Sequence, residues 1–494
     1  MVVYMATRQL NLLSEIDEDE LQTLKRKIHK NGPQSARIQL ETKYANRLCA
    51  NTDLNRQLVS FQKNKKHPFN RWFKYKEGFS AQFVQYILDD FAKACKIERI
   101  HLLDPFAGAG TALMQASLRG WSATGIELLP PSVAAIQARV QAQDVDLDSF
   151  YAALSELKRC IRTLPSTQYQ FPHLYISQKA FPAETERALS AYQGFLGTIS
   201  SKDVKSLFHF ACLSVLEEIS YTRKDGQYLR WDARAGKNRT STFHKGPVLE
   251  FKAAILRKLE VMAEDLAERE NQRLQGRVRI IEGSCLTQLA QIPANTFDVV
   301  VTSPPYCNRY DYTRTYALEL AYLGFTEDHV KKLRQTLLSA TVENRSKRNE
   351  LKSFYDGQNP SYFDWVSSAF ENQEALQEVL SALYRAKEQG LLNNNNIPGM
   401  VSHYFFEMNV VIHELARVLA SKGRVYMVND NVQYIGEHVP VDLILSEFAA
   451  HAGLTVDKIW VLPRGKGNSS QQMDQHGRNE LRKCVYVWSK PASK

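Results

Sequence analysis

At 494 residues the chain exceeds an ordinary single domain, so one main domain enlarged by insertions, or joined to a smaller module, is expected. Its 44% hydrophobic and 23% charged residues exclude a disordered or fibrous protein; no apolar run reaches membrane-spanning length, and Arg8, Glu15, Asp17, Glu18, Asp19 and Glu20 break up any secretory leader, so a cytoplasmic location is expected. A net charge of +10 suits a polyanionic partner, and with no spanning run no membrane partner is expected.

Residues 1–62 read as a charged N-terminal extension with a helix over Glu18–His29. From His67 to Phe91 an aromatic-rich run turns helical, with Ser80 as N-cap of a helix whose apolar face carries Phe83, Ile87 and Phe91. Next come a strand over Ile100–Leu103, the loop DPFAGAGT, a helix from Ala112 stopped by Gly120, and a strand over Ser122–Ile126 that ends on Glu127. Together they open a doubly wound α/β sheet, and residues 63–139 form its first half.

Residues 140–275 read as a helical insertion, with helices over Lys205–Leu216 and Phe251–Leu266 around a basic run, Tyr221–Lys245, short of core residues. In segment 276–325 strands return at Arg277–Glu282 and Phe297–Val301, the second a nearly continuous apolar run of the kind buried parallel strands show, and TSPPY closes it. The polar stretch 326–399 reads as a second insertion. Residues 400–494 supply a helix over Tyr404–Leu419, a strand over Arg424–Val428 and a helix over Val441–Ala452. A terminal antiparallel hairpin, Val456–Leu462 with Lys483–Val487, flanks the basic loop PRGKGNSSQQMDQHGRNE. Seven cysteines carry no CxxC pair and no histidine spacing for zinc, so reduced thiols and no metal are expected.

Two motifs carry chemistry. In DPFAGAGT, Gly108 and Gly110 let the backbone turn sharply beside a helix N-terminus with free amide donors, and Glu127 ends the next strand where such folds place a ribose-binding acid. In Ser303-Pro304-Pro305-Tyr306, two prolines at a buried strand's end fix the backbone and remove two donors. What remains are acceptors, the Ser303 hydroxyl and the Pro304 carbonyl, and an aromatic face on Tyr306: a set suited to holding an exocyclic amine and stacking its base.

The pair of motifs resembles the amino-group DNA methyltransferases, in which a DPFxGxGT-type loop is joined to an SPPY or DPPY motif; the serine form is similar to the cytosine-N4 branch. The resemblance spans His67–Ile126, Arg277–Leu323 and Tyr404–Trp488, roughly half the chain. It implies a Rossmann-like methyltransferase sheet, S-adenosylmethionine as cofactor, double-stranded DNA as partner with a restriction or defence protein as a further one, and methylation of the amine of a flipped base. Cytosine N4 comes first; adenine N6, an RNA-base amine and a catalytically silent DNA-binding subunit are the alternatives.

By position, the resemblance sets Asp104, Phe106, Gly108, Gly110, Thr111 and Glu127 around the cofactor, with Lys76, Gly78 and Phe79 closing over it and Ser303 to Tyr306 forming the base pocket. Where the family often has an acid for the adenine, Ser284 and Cys285 follow Gly283, a departure that leaves the adenine contact open, with Ser284 kept in the cofactor set. The basic run offers Arg223, Lys224, Arg230, Arg234, Lys237 and Arg239 to DNA. Cys307 follows a tyrosine, unlike the proline-preceded nucleophile of carbon-5 enzymes, and reads as a lining residue.

Overall fold

The computed structural model describes residues 35–492 except 96–98, 226–227, 238–241, 358–359 and 464–480. The expected helix over Glu18–His29, Arg239 and nearly all of the basic loop in the terminal hairpin lie outside the described residues. The strands are β1 (Leu48–Ala50), β2 (His101–Asp104), β3 (Ser122–Glu127), β4 (Thr222–Asp225), β5 (Tyr228–Trp231), β6 (Val278–Glu282), β7 (Phe297–Thr302), β8 (Leu419–Asp430), β9 (Val432–Tyr434), β10 (Glu437–Val439), β11 (Thr455–Val461) and β12 (Lys483–Ser489).

Eight of these form one sheet in the order β1-β11-β12-β8-β7-β2-β3-β6. Within it β12 is antiparallel to both neighbours, and the other pairings are parallel. The doubly wound α/β sheet and its terminal antiparallel hairpin are therefore present.

Helices cover both faces, which is why the central strands read as continuous apolar runs. On one face α1 (Ala36–Tyr44) and the later helices meet Leu103, Val300, Val425 and Met427; on the other, α2 (Ala81–Ala94) and α3 (Thr111–Leu118) meet Leu102, Val299, Val301 and Val428. Alternate residues of one strand thus serve different cores, as the two-residue repeat of a strand requires. Ser80 caps α2 as expected, accepting from the Phe83 amide at 3.1 Å, and Phe83, Ile87 and Phe91 are buried.

A third core lies in the first insertion. Beyond α4 (Pro130–Gln141), helices α5 (Leu147–Cys160), α6 (Ala183–Thr198), α7 (Lys202–Val215) and α8 (Phe251–Ala267) pack with Trp72, Phe73 and the 316–322 segment. The second insertion is more ordered than its polarity suggests: α9 (Glu327–Thr336) adds Val330 and Leu333 to this third core, while α10 (Arg348–Asp356), α11 (Pro360–Glu371) and α12 (Glu374–Glu388) bury Leu351, Phe363, Leu376 and Leu383 against α13 (Ile397–Val418) and α14 (Val441–His451). Lys347 meets Glu407 of α13 at 2.9 Å, both nearly buried, and the Ser339 amide donates to the same carboxylate at 2.8 Å. The N-terminal extension is likewise part of the fold from residue 36 onward, since β1 pairs with β11 at the sheet edge.

Gly125 in β3 is the tightest point between the sheet and the loop above it. A β-carbon there would stand 2.6 Å from a Leu113 methyl and 2.9 Å from the Ala107 β-carbon. Gly125→Ala is expected to cost about 1–3 kcal/mol of stability through overpacking, read from the midpoint of denaturant unfolding; an unchanged midpoint would mean α3 stands off the sheet.

Candidate active site

Parallel strands end together, so the carboxyl ends of β2, β3, β6 and β7 share one edge, and strand order reverses between β2 and β7. Open sheets of this kind bind ligands in the crevice at such a reversal. Here it holds an open cleft of about 880 Å³, open solvent included, lined among others by Asp104, Phe106, Gly108, Thr111, Glu127, Ser284, Ser303 and Pro305. Two sequence motifs nearly 200 residues apart are brought to one wall. The direct link is a buried hydrogen bond in which the Thr302 hydroxyl donates to Asp104 Oδ1 at 2.7 Å, across the junction of β7 and β2.

Asp104 Oδ1 also accepts from the Phe106 amide at 3.1 Å, which closes the first turn of the glycine loop and leaves Oδ2 outside both bonds. Gly108 takes φ +52°, and a β-carbon on it would press 2.7 Å from the Tyr75 ring. Gly110, at φ +78°, is the N-cap of α3 and does not line the cleft; its missing β-carbon makes room for Ile136, 2.7 Å from where that atom would be. Its part in the loop is one of shape.

Glu127 is only 8% exposed. Its Oε2 accepts from the Gly108 amide at 2.6 Å, and its Oε1 accepts from the amides of Leu128 and Leu129 at 2.8 and 2.7 Å. A carboxylate oxygen has two lone pairs, so Oε1 is full and Oε2 keeps one acceptor site, enough for one ligand hydroxyl. Burial pushes both Asp104 and Glu127 up to about 7, partly offset by these hydrogen bonds, and for Glu127 the nearby Asp104 adds to the rise. Such a floor favours a ligand that brings positive charge.

At the end of β7 the Ser303 hydroxyl donates to the Tyr306 phenol oxygen at 3.2 Å and reaches the Val428 carbonyl at 3.4 Å. Lys483 donates to the same phenol at 3.1 Å. Pro305 lines the cleft, whereas the buried Pro304 and the half-buried Tyr306 stand beside it in sequence without lining it. Cys307 is a core residue, not a lining one: it is fully buried, burial pushes its thiol far above the usual range, and its carbonyl accepts from Tyr434 at 2.6 Å. Ser284 lines the cleft with no capping bond from its side chain.

Two lysines also depart from the expectation. Lys76 does not line the cleft: its ammonium donates to the Lys224 carbonyl. Lys224 is 2% exposed, pairs with Glu319 and lies 4.1 Å from the Tyr316 ring centre, so it is withdrawn from any partner. Of the other expected DNA contacts that are described, Arg223 and Arg230 face each other across the β4–β5 hairpin and are exposed, Arg234 is bonded to Asp232, and Lys237 sits 4.1 Å from the Trp231 ring centre.

Sequence reasoning missed Phe61, Tyr75, Glu77, Tyr312 and Leu338, all of which line the cleft. Glu77 accepts from the phenols of Tyr310 and, at 3.0 Å, Tyr316, so an aromatic wall is tied together by one carboxylate. The available signal was the density of aromatics in HPFNRWFKYKEGF and in CNRYDYTRTY on either side of the two motifs.

No model of a known protein family matches the chain. The Type II methyltransferase M.AvaI of Nostoc sp. (strain PCC 7120) is 43% identical over 464 residues, covering 92% of this chain and 92% of the relative. The Type II methyltransferase M.BsoBI of Geobacillus stearothermophilus is 39% identical over 478 residues, 93% of each chain. The Type II methyltransferase M.MvaI of Kocuria varians is 22% identical over 407 residues, 80% of this chain and 84% of that one. The solved structure of TrmN from Thermus thermophilus, at 9% identity and a TM-score of 0.26 over 83% of this chain and 48% of that one, is too distant to carry any argument. With the first two relatives matched along more than nine-tenths of both chains, the chain belongs to the Type II methyltransferases, and S-adenosylmethionine is its methyl donor.

Proposed function

We propose that the chain is a site-specific DNA methyltransferase acting on the exocyclic amino nitrogen of a flipped base, cytosine N4 first. The observation that carries this reading is the adjacency of the acid-floored cleft to Ser303-Pro304-Pro305-Tyr306 through the Asp104–Thr302 bond.

The cleft fits the methyl donor. Glu127 Oε2 retains one acceptor for a ribose hydroxyl, Asp104 Oδ2 one for an ammonium, and Phe106, Ile126, Leu128 and Leu129 give apolar walls. Ser284 and the Phe79 ring complete the set, with Gly108 and Thr111 at the loop and helix start. When bound, S-adenosylmethionine supplies a methyl group on positively charged sulfur. The chain's own residues act on the amine. The Pro304 carbonyl and the Ser303 oxygen accept its hydrogens, which draws the nitrogen lone pair out of the ring and holds it towards the methyl. Tyr306 stacks the base, offsetting part of the few kcal/mol needed to unstack it.

DNA is expected to reach the cleft over the β4–β5 hairpin, because β5 packs against the short helix Tyr312–Thr315, which places the cleft-lining Tyr312. Arg223, Arg230, Arg234 and Lys237 are the cations offered there, divided between phosphates and base edges.

The target atom is read by methylating unmodified DNA with labelled donor, digesting it to nucleosides, and separating and weighing the labelled product. N4-methylcytosine is expected. N6-methyladenine would replace the base while keeping the amine chemistry, and 5-methylcytosine would overturn the reading.

Donor binding is expected to depend on pH. Asp104 and Glu127, held at about 7, take up protons just below neutrality, and a cation favours their ionised forms. Affinity measured by calorimetry should therefore fall as pH drops through about 7, on the order of tenfold per pH unit for each linked proton. A flat profile would separate the donor's charge from both carboxyls.

A further inference from the structure

One buried ion pair beside the site has no part in this mechanism. Because β12 runs against its neighbours, its first residue, Lys483, stands at the carboxyl edge, directly across from Asp430 at the end of β8. Their charged groups meet at 2.7 Å with side chains only 11% and 12% exposed. Burying two charges costs desolvation that apolar residues of the same volume would not, so stability alone is a weak reason for the pair. The second contact of the ammonium supplies another: it donates to the Tyr306 phenol at 3.1 Å and lies 4.7 Å from the ring centre.

We propose that Lys483, anchored by Asp430, is the positioning residue of the base pocket: it fixes the Tyr306 ring for stacking and sets the direction of the hydrogen bond from Ser303. The inference rests on the reading that Ser303 to Tyr306 hold the base. An ammonium has three donors and no acceptor, so its contact with the phenol runs one way only, and the phenol oxygen is an acceptor there. Ser303 donates to that same oxygen at 3.2 Å or to the Val428 carbonyl at 3.4 Å. Either way its hydrogen is directed into the protein and its lone pairs stay open to the amine. Asp430 neutralises the ammonium, so the string Ser303–Tyr306–Lys483–Asp430 brings no net charge to an amine that becomes positive as the methyl arrives. The phenol is thereby held by a residue 177 positions later in the chain.

Replacing Lys483 alone would strand a buried carboxylate, so the informative variant is the neutral pair Asp430→Asn with Lys483→Met. It is compared with wild type, with Tyr306→Phe, and with the neutral pair added to Tyr306→Phe, all on unmodified duplex DNA. In the wild-type background the neutral pair should lower kcat on the order of tenfold to a hundredfold, the scale of a misplaced reacting group. The Kd for S-adenosylmethionine should stay within about twofold, and thermal unfolding should stay cooperative. In the Tyr306→Phe background, where there is no phenol to hold, adding the neutral pair should change kcat by less than about twofold. An equal loss in both backgrounds, or wild-type kcat for the neutral pair, would overturn the inference alone. Wild-type kcat for a Tyr306→Ala control would remove the pocket itself, and this inference with it.

Discussion

The Thr302 hydroxyl and the Asp104 carboxylate meet at 2.7 Å beneath the cleft floor, where two adjacent parallel strands end. Both groups are almost fully buried, and a buried acceptor left without its donor costs about 1–3 kcal/mol, so the ends of β2 and β7 are held in one register. Everything that follows each strand inherits that register. After β2 come the turn closed by Phe106, the glycine loop and the start of α3; after β7 come Ser303, the two prolines and Tyr306. A cofactor loop and a base pocket that folded separately would leave their relative position to chance, and methyl transfer needs reacting atoms about 3–3.5 Å apart.

Around this joint the fold uses carboxylates in three ways. Glu127 ties the glycine loop to the 128–129 turn with three backbone amides and keeps one acceptor site in reserve. Glu77 gathers the phenols of Tyr310 and Tyr316 into the aromatic wall. Glu407, on α13, takes Lys347 and Ser339 and so anchors the chain just beyond Leu338, which lines the cleft from the second insertion. The insertions are thus bonded into the site's walls from the side of the sheet where the parallel strands end.

Much of the sheet was legible in the sequence because its signals are local. The run FDVVV is apolar but for Asp298, as a strand covered on both faces requires, and glycine turns and a strand-end acid fall at short, fixed spacing. What the sequence hides is set by distant partners. Lys224 sits in a run of basic residues and reads as surface; its burial depends on Glu319, 95 positions away. Lys76 was placed by its neighbours in sequence, yet its ammonium is directed by a carbonyl 148 positions later. The three residues of β1 are too few to show a strand period, and their partner, β11, lies some 400 residues on. Tyr75 and Tyr312 are aromatics among many, and only the folded chain distinguishes those facing a cleft from those filling a core.

On the proposed reading the methyl donor lies in the cleft at the β2–β7 reversal, against the floor made by Asp104 and Glu127. The most direct measurement is photolabelling: the chain is irradiated with methyl-tritiated S-adenosylmethionine, digested, and the labelled peptides are sequenced. Label is expected within 75–79, 104–111, 283–285 or 303–312, competed away by unlabelled donor. Competable label confined to the helical insertion between 147 and 267 would contradict it.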